Sequence, residues 1–168
     1  LTVKEVLSHY GRLKAWIPFY MSTIDSITKK PSEEYYRQKG SKKFPIEVAK
    51  NLYLISNYKD SIFDRIANAD QRLNPGYKYS DLPYFLFKDF IENYYKKNLD
   101  ELTQERFYKT LGANNTGYLP LHKFPKSKIV PTEKDDYYRN QLVQGYVHDM
   151  GAAMQGGIGG HSGLFSNA

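Results

Sequence analysis

The stretch Asn74-Pro75-Gly76-Tyr77-Lys78-Tyr79-Ser80-Asp81-Leu82-Pro83-Tyr84-Phe85-Leu86 decides how the rest of the chain is read. Asn-Pro-Gly is a turn by its chemistry: proline presets φ at one corner and glycine accepts positive φ at the next. Tyr77 to Tyr79 lead into a segment in which Leu82, Leu86, Phe90, Ile91 and Tyr94 form one apolar stripe, which predicts a long amphipathic helix. Pro83 suits its first turn, where a backbone N–H has no intrahelical partner to lose.

Working outward, Thr2 and Glu5 stand in capping-box spacing and Val3, Val6 and Leu7 share a face, which predicts a short helix ahead of Gly11 and Pro18. Lys14 to Tyr20 is too apolar for a plain surface loop and reads as a packed corner. Pro45 opens a stretch with Val48, Ala49, Leu52 and Ile55 at helical spacing, and Ile62, Phe63 and Ile66 repeat the pattern, so two more helices are expected. A further helix over 99–111 should end at Gly112 in a left-handed cap. Beyond Tyr118 regular helix is not expected. With no internal repeat and no clear alternating strand, the expected class is mainly α, with residues 1–139 mostly helical and 140–168 a glycine-rich segment beside a pocket.

Composition narrows the function classes. The chain has 168 residues, 40% of them hydrophobic and 25% charged, and no apolar run approaches the roughly 18 residues of a spanning helix. Zero cysteines exclude disulfides, thiolate nucleophiles and cysteine zinc sites. The net charge of +6 is unevenly placed. Lys29, Lys30, Arg37, Lys39, Lys42 and Lys43 face only Glu33 and Glu34 between residues 28 and 44, which reads as a mobile, solvated excursion. By contrast, residues 140–168 hold a single ionised side chain, Asp149, and seven of the twelve glycines. Glycines there would let main chain approach a ligand or a neighbouring layer closely.

Motifs for catalysis are sparse. Ser26 and Lys29, and Ser56 and Lys59, fit the Ser-x-x-Lys spacing that puts an amine one helical turn from a hydroxyl. Chance alone gives about one such pair at this serine and lysine content, so the spacing carries no weight by itself. Neither a Gly-x-Ser-x-Gly elbow nor a His-Glu-x-x-His zinc helix occurs. His9, His122, His148 and His161 are too scattered to predict a metal site, and no cofactor is expected. The aromatic and basic residues lack any nucleic-acid-binding signature, so no nucleic-acid partner is expected.

Four segments in order carry a resemblance. Leu1-Thr2-Val3-Lys4-Glu5-Val6-Leu7-Ser8-His9, Pro75-Gly76 through Tyr79-Ser80-Asp81-Leu82, Leu111-Gly112-Ala113-Asn114-Asn115-Thr116-Gly117, and Gly145 through Gly156-Gly157-Ile158-Gly159-Gly160-His161-Ser162-Gly163-Leu164-Phe165-Ser166 resemble the serine β-lactamase and penicillin-binding-protein-like family, in its class C and esterase branch. The last segment and Lys14 to Tyr20 resemble a bacterial subgroup often joined to a family 3 glycoside hydrolase of the β-N-acetylglucosaminidase type. The resemblance implies a middle portion of the hydrolase domain: the helical subdomain of an α+β, transpeptidase-like fold lacking most of its central sheet.

The resemblance also implies roles. Tyr79 would be the proton shuttle of an acyl-transfer reaction, its phenolate favoured by neighbouring lysine charge. Asp81 stands where the family has an asparagine that donates to a substrate carbonyl, and an ionised aspartate can only accept. His148, Asp149, Gly160 and His161 are expected to line the substrate pocket. The family's nucleophilic Ser-x-x-Lys and its Lys/His-Thr-Gly strand have no counterpart here, so the chain alone should be inert. Its implied partners are a small-molecule or peptidoglycan-derived substrate, the remainder of its own hydrolase domain and a fused glycosidase. Its implied location is periplasmic or at the cell surface. The second reading, motivated by Asp81, is a non-catalytic peptidoglycan-binding or substrate-positioning domain.

Overall fold

The computed structural model describes residues 1–167. Helix α1 (Val3–Leu7) starts on the expected capping box: Thr2 Oγ1 accepts from the Glu5 amide while the Glu5 carboxylate accepts from Thr2 N at 2.6 Å. The chain then forms the packed corner, with a 3₁₀ turn over Phe19–Thr23 that buries Phe19. Helices α2 (Tyr58–Ala67) and α3 (Leu82–Tyr95) lie where the apolar spacing puts them, and Pro83 sits in the first turn of α3. The stripe on α3 is buried only at its start. Leu82 and Phe85 enter the core, whereas Phe90 and Tyr94 remain exposed. Helix α4 (Leu99–Thr103) continues as one π-helical turn over Gln104–Tyr108, and Gly112 follows with φ +65°, the expected left-handed ending.

The mainly α expectation is overturned. The chain is 32% helical and 13% strand, an α+β architecture, and strands fall within the stretch 1–139 read as mostly helical. Strands β1 (Tyr36–Arg37), β2 (Ile46–Ala49) and β3 (Leu52–Leu54) form an antiparallel sheet in the order β1-β3-β2. The residues 48, 49, 52 and 55 that matched helical spacing are a hairpin. Asn51 takes φ 56° at its turn, a conformation asparagine tolerates better than most residues, and Ile46 and Val48 favour extended chain. Short apolar runs are ambiguous between the two periods, and the pairing of Tyr36 with Leu54, eighteen residues away, settles the choice.

That same pairing ties the middle of the basic excursion, Tyr36–Arg37, into the sheet. Tyr36 is buried, and its hydroxyl lies in a chain from Thr23 Oγ1 (2.8 Å) to the Tyr138 hydroxyl (2.9 Å). Phe44 is buried too, with the Arg37 guanidinium 4.6 Å from its ring centroid. The lysines themselves stay at the surface.

The second half adds a hairpin of β4 (Pro131–Asp135) and β5 (Gln141–Gln144), and a short helix α5 (Met150–Ala153). Its turn is held by a buried ion pair. Arg139 Nε donates to Asp135 Oδ2 at 2.7 Å, and both side chains are inaccessible to solvent. Arg139 also donates to Glu133 Oε2 and to the carbonyls of Val147 and His148, so the guanidinium ties the hairpin to the residues that enter α5. Helix α5 packs on the Phe19–Thr23 turn and on β2, closing the core around Tyr138, Leu54, Ile62 and Met154.

Candidate functional site

The segment before α3 is fastened at successive residues. Lys78 N donates to the His9 carbonyl, Ser80 N to His9 Nδ1 at 3.3 Å, Ser80 Oγ to the Lys14 carbonyl at 2.6 Å, and Asp81 N to the Ala15 carbonyl at 2.9 Å. An imidazole nitrogen that accepts carries no proton, so this contact assigns His9 to the tautomer protonated at Nε2. The His9 ring also packs against Tyr79, with centroids 4.6 Å apart. His9 is thus a clamp on the tyrosine loop that its scattered place in the sequence did not announce. Buried Ser80 also accepts the Leu82 amide. Asp81 is the N-cap residue of α3, yet its carboxylate caps nothing. The side chain turns instead toward the Tyr79 phenol, whose ionisation it opposes.

Beside this loop lies a small cleft of about 30 Å³ between the packed corner, the start of α3 and the start of α5. Asp81, Asp149 and His161 all line it, together with Trp16, Tyr20 and Phe85. Residues separated by up to 80 positions therefore meet there, and Trp16 and Phe85 join them without having been expected to. Among the described residues no lysine or arginine lines the cleft.

Asp149 is the N-cap of α5, its Oδ1 accepting from the Ala152 amide at 2.7 Å and lying 3.0 Å from His161 Nε2. Burial pushes the Asp149 carboxyl up, but the hydrogen bonds from His161 and the Ala152 amide outweigh it and hold the group below the usual carboxylate range. His161 is stacked on Phe85, centroids 4.6 Å apart, with a side chain only 3% exposed. Its other nitrogen, Nδ1, is buried without a hydrogen-bond partner among the described residues.

Tyr79 is half exposed beside this cleft. Its phenol is pushed up to about 12, first by desolvation and then by the Asp81 carboxylate, with a smaller push from Asp149. The lysine charge expected to favour its phenolate is replaced, within the described residues, by carboxylates that keep the phenol protonated.

The remaining expected residues lie elsewhere. Gly160 is pressed against the backbone of α3, where a Cβ would run into the Tyr84 carbonyl oxygen, so its lack of a side chain serves packing. His148 is 61% exposed, with Nδ1 3.3 Å from Glu133 Oε2, and lines a separate groove with Phe124 and Leu164. Neither Ser-x-x-Lys pair is assembled: Ser26 lies in a turn, and Lys59 Nζ is engaged 2.6 Å from Asp89 Oδ1. Among the described residues no cluster of three or more metal-ligating side chains occurs, and no helix is long and apolar enough to cross a membrane.

No family model matches the chain. A provisionally named D-alanyl-D-alanine carboxypeptidase of Escherichia coli (strain K12) is 33% identical over 128 residues, covering 68% of this chain and 30% of that protein. The N-acetylmuramyl-L-alanine amidase of Bacillus subtilis (strain 168) is 29% identical over 180 residues, covering all of this chain and 35% of that protein. Among solved structures, the D-amino acid amidase of Ochrobactrum anthropi SV3, complexed with D-phenylalanine, superimposes with a TM-score of 0.50 over 99% of this chain and 43% of that one. At 15% identity that likeness concerns the fold, which it places in the α+β class. The chain spans about a third of the length of the curated relatives it matches.

Proposed function

We propose that this chain belongs to a bacterial serine hydrolase of the β-lactamase and penicillin-binding-protein-like kind, acting outside the cytoplasm on a cell-wall-related substrate. The observation that carries the reading is the loop Tyr79-Ser80-Asp81, fastened to residues 9, 14 and 15 with Tyr79 presented beside a cleft. The relatives' names, a D-alanyl-D-alanine carboxypeptidase and a muramyl-alanine amidase, support a wall-related acyl or amide substrate.

In this reading a serine elsewhere in the protein attacks the substrate carbonyl and forms an acyl-enzyme, which water then hydrolyses. Tyr79 moves the proton. With desolvation first and the Asp81 carboxylate second holding it as a phenol, it is set up to donate to the leaving group, and it becomes a base only when a cation faces it. His9 acts through Tyr79 as a positioning residue. Asp81 cannot donate to a substrate carbonyl while ionised, which supports an esterase or altered amidase over recognition of an acylamino group.

The test is active-serine labelling of the full-length protein with a fluorophosphonate, followed by peptide mapping. The expected adduct lies outside residues 1–168, and Tyr79→Phe slows its formation more than tenfold. Adduct on Ser26 or Ser56, or unchanged kinetics in Tyr79→Phe, refutes the assignment. The alternative, a positioning domain without chemistry, is favoured by Asp81 and predicts no adduct at all. Attachment to a glycosidase domain is the further reading from the resemblance, and the flanking open reading frame tests it.

A further inference from the structure

The basic stretch between residues 28 and 44 has no part in the acyl-transfer reading. Among the described residues none of its six cations forms an ion pair with a carboxylate, whereas Lys59, Lys88 and Lys97 stand 2.6, 3.1 and 2.6 Å from carboxylate oxygens. Its densest part is Arg37 to Lys43, where Arg37, Lys39, Lys42 and Lys43 occur without an intervening carboxylate. The backbone there is tied at several points. Arg37 lies on β1, paired with Tyr53. Gly40 is pressed against the Tyr53 ring, where a Cβ would come within 3.1 Å of Cε1. Ser41 and Phe44 exchange backbone hydrogen bonds around Lys42 and Lys43, and the Ser56 amide donates to the Lys43 carbonyl at 3.0 Å. All four charged residues are nevertheless exposed. Charges presented from tied backbone lose less freedom on binding than charges on a loose loop.

Arg37 and Lys43 share one ring. The guanidinium carbon is 4.6 Å and Lys43 Nζ 5.8 Å from the Phe44 centroid, so the two cations stand within about 10 Å of each other, close to the screening length at 0.1 M salt. An anion between them turns this repulsion into attraction. Arg37 uses only Nη1 within the protein, donating to the carbonyls of Glu33 and Tyr36, and its Nε and Nη2 make no hydrogen bond among the described residues. That open edge fits the paired oxygens of a phosphate, and the three lysines are point charges that meet phosphate oxygens without demanding a plane. The surroundings narrow the partner further. Among the described residues no large hydrophobic side chain between 28 and 72 is exposed, which disfavours insertion into a bilayer. Tyr36 and Phe44 are buried and offer no face for a base to stack on.

We propose that Arg37, Lys39, Lys42 and Lys43 form a docking surface for a linear phosphodiester polymer of the cell envelope, apart from the cleft beside Tyr79, which none of them lines. The envelope as the source of the polymer rests on the extracytoplasmic reading above, whereas phosphodiester binding itself does not, and its assay needs no turnover.

The probe is synthetic poly(glycerol phosphate), titrated calorimetrically into the full-length protein over a range of salt concentrations. On a single-stranded polyanion log K falls with log salt by about 0.7 for each phosphate neutralised, so four cations predict a slope of about −3. In Lys39→Gln/Lys42→Gln/Lys43→Gln the slope should fall to about −1 and the affinity at least about tenfold. An unchanged urea midpoint checks that this variant is folded, and the wild-type slope tests the surface without any variant. Lys59→Gln/Lys88→Gln/Lys97→Gln removes as much charge from elsewhere and should weaken binding less than about threefold. No binding, a wild-type slope no steeper than about −1, or equal losses in the two triple variants overturns the proposal. Equal affinity for poly-γ-glutamate overturns the choice of phosphate. Tighter binding to phosphatidylglycerol vesicles overturns the polymer in favour of a bilayer, and tighter binding to oligo(dT) overturns it in favour of nucleic acid.

Discussion

Replacing Arg139 by methionine tests whether the buried guanidinium organises the second half of the chain. The side chain is fully buried, pairs with the equally buried Asp135, and gives further hydrogen bonds to Glu133 and to the carbonyls of Val147 and His148. Methionine fills much of the volume but leaves Asp135 as a buried charge without its counterion, a loss that costs about 3–5 kcal/mol in comparable pairs. Asp135 Oδ1 keeps the amides of Tyr137, Tyr138 and Arg139, which places the expected cost toward the lower end of that range. The orphaned carbonyls add roughly 1 kcal/mol each where water cannot reach them. Measured by thermal or urea unfolding, a domain of this size should lose roughly 6–20 °C in Tm. The decisive comparison is Arg139→Met with Asp135→Asn, which removes the unpaired charge but keeps an acceptor for the three amides. It should recover more than half of the lost stability. A single variant that loses less than about 1 kcal/mol, or a double variant no more stable than the single, refutes the reasoning. Because Arg139 also anchors residues 147 and 148, the double variant should still show a displaced His161 imidazole resonance, since Asp149 is the next residue.

Other expectations follow from the same geometry. Gly160→Ala drives a methyl into the Tyr84 carbonyl oxygen, and since backbone cannot give way as a side chain can, a loss of about 1–3 kcal/mol in urea unfolding is expected, with wild-type stability refuting the close approach. Alkaline pH should destabilise the chain. Burial raises the phenols of Tyr36 and Tyr138 and pushes Tyr118 up to about 12, so their contribution is complete below the unfolded value near 10 and is lost as pH rises through the folded values. Circular dichroism should therefore show unfolding at lower temperature above pH 10, and a Tm flat between pH 9 and 12 contradicts it. His9→Phe preserves the stacking volume but removes the acceptor for Ser80 N–H. It should slow acylation in the full-length protein less than Tyr79→Phe does, and His9→Asn, which restores an acceptor, should recover part of the rate.

The local elements were legible because their signals are local. The capping box at Thr2 and Glu5, the turn at Asn74-Pro75-Gly76, the start of α3 at Leu82-Pro83 and the left-handed Gly112 each depend on a few adjacent residues. The resemblance likewise singled out Tyr79, Asp81, Asp149 and His161 in order. The strands were not legible, since residues 46–55 satisfy helical and extended spacing alike. Only pairing with residues 36 and 37 makes one of them favourable. Arg139 and Asp135 are an i,i+4 pair of charges that carries no motif, and the Tyr138 between them packs against Tyr20 and Tyr36, more than a hundred residues away.

By itself, then, the sequence determined which residues can turn, cap and line a helix face, and which side chains are candidates for chemistry. Tertiary structure decided which of those side chains meet. It desolvated Tyr79 and set Asp81 beside it, which raises the phenol, put Asp81 and His161 in one cleft, pushed Gly160 under α3 and turned His148 away. Charge and desolvation act over a few ångströms of space regardless of separation along the chain, so the chemistry of Tyr79 is a property of the folded site and not of its motif.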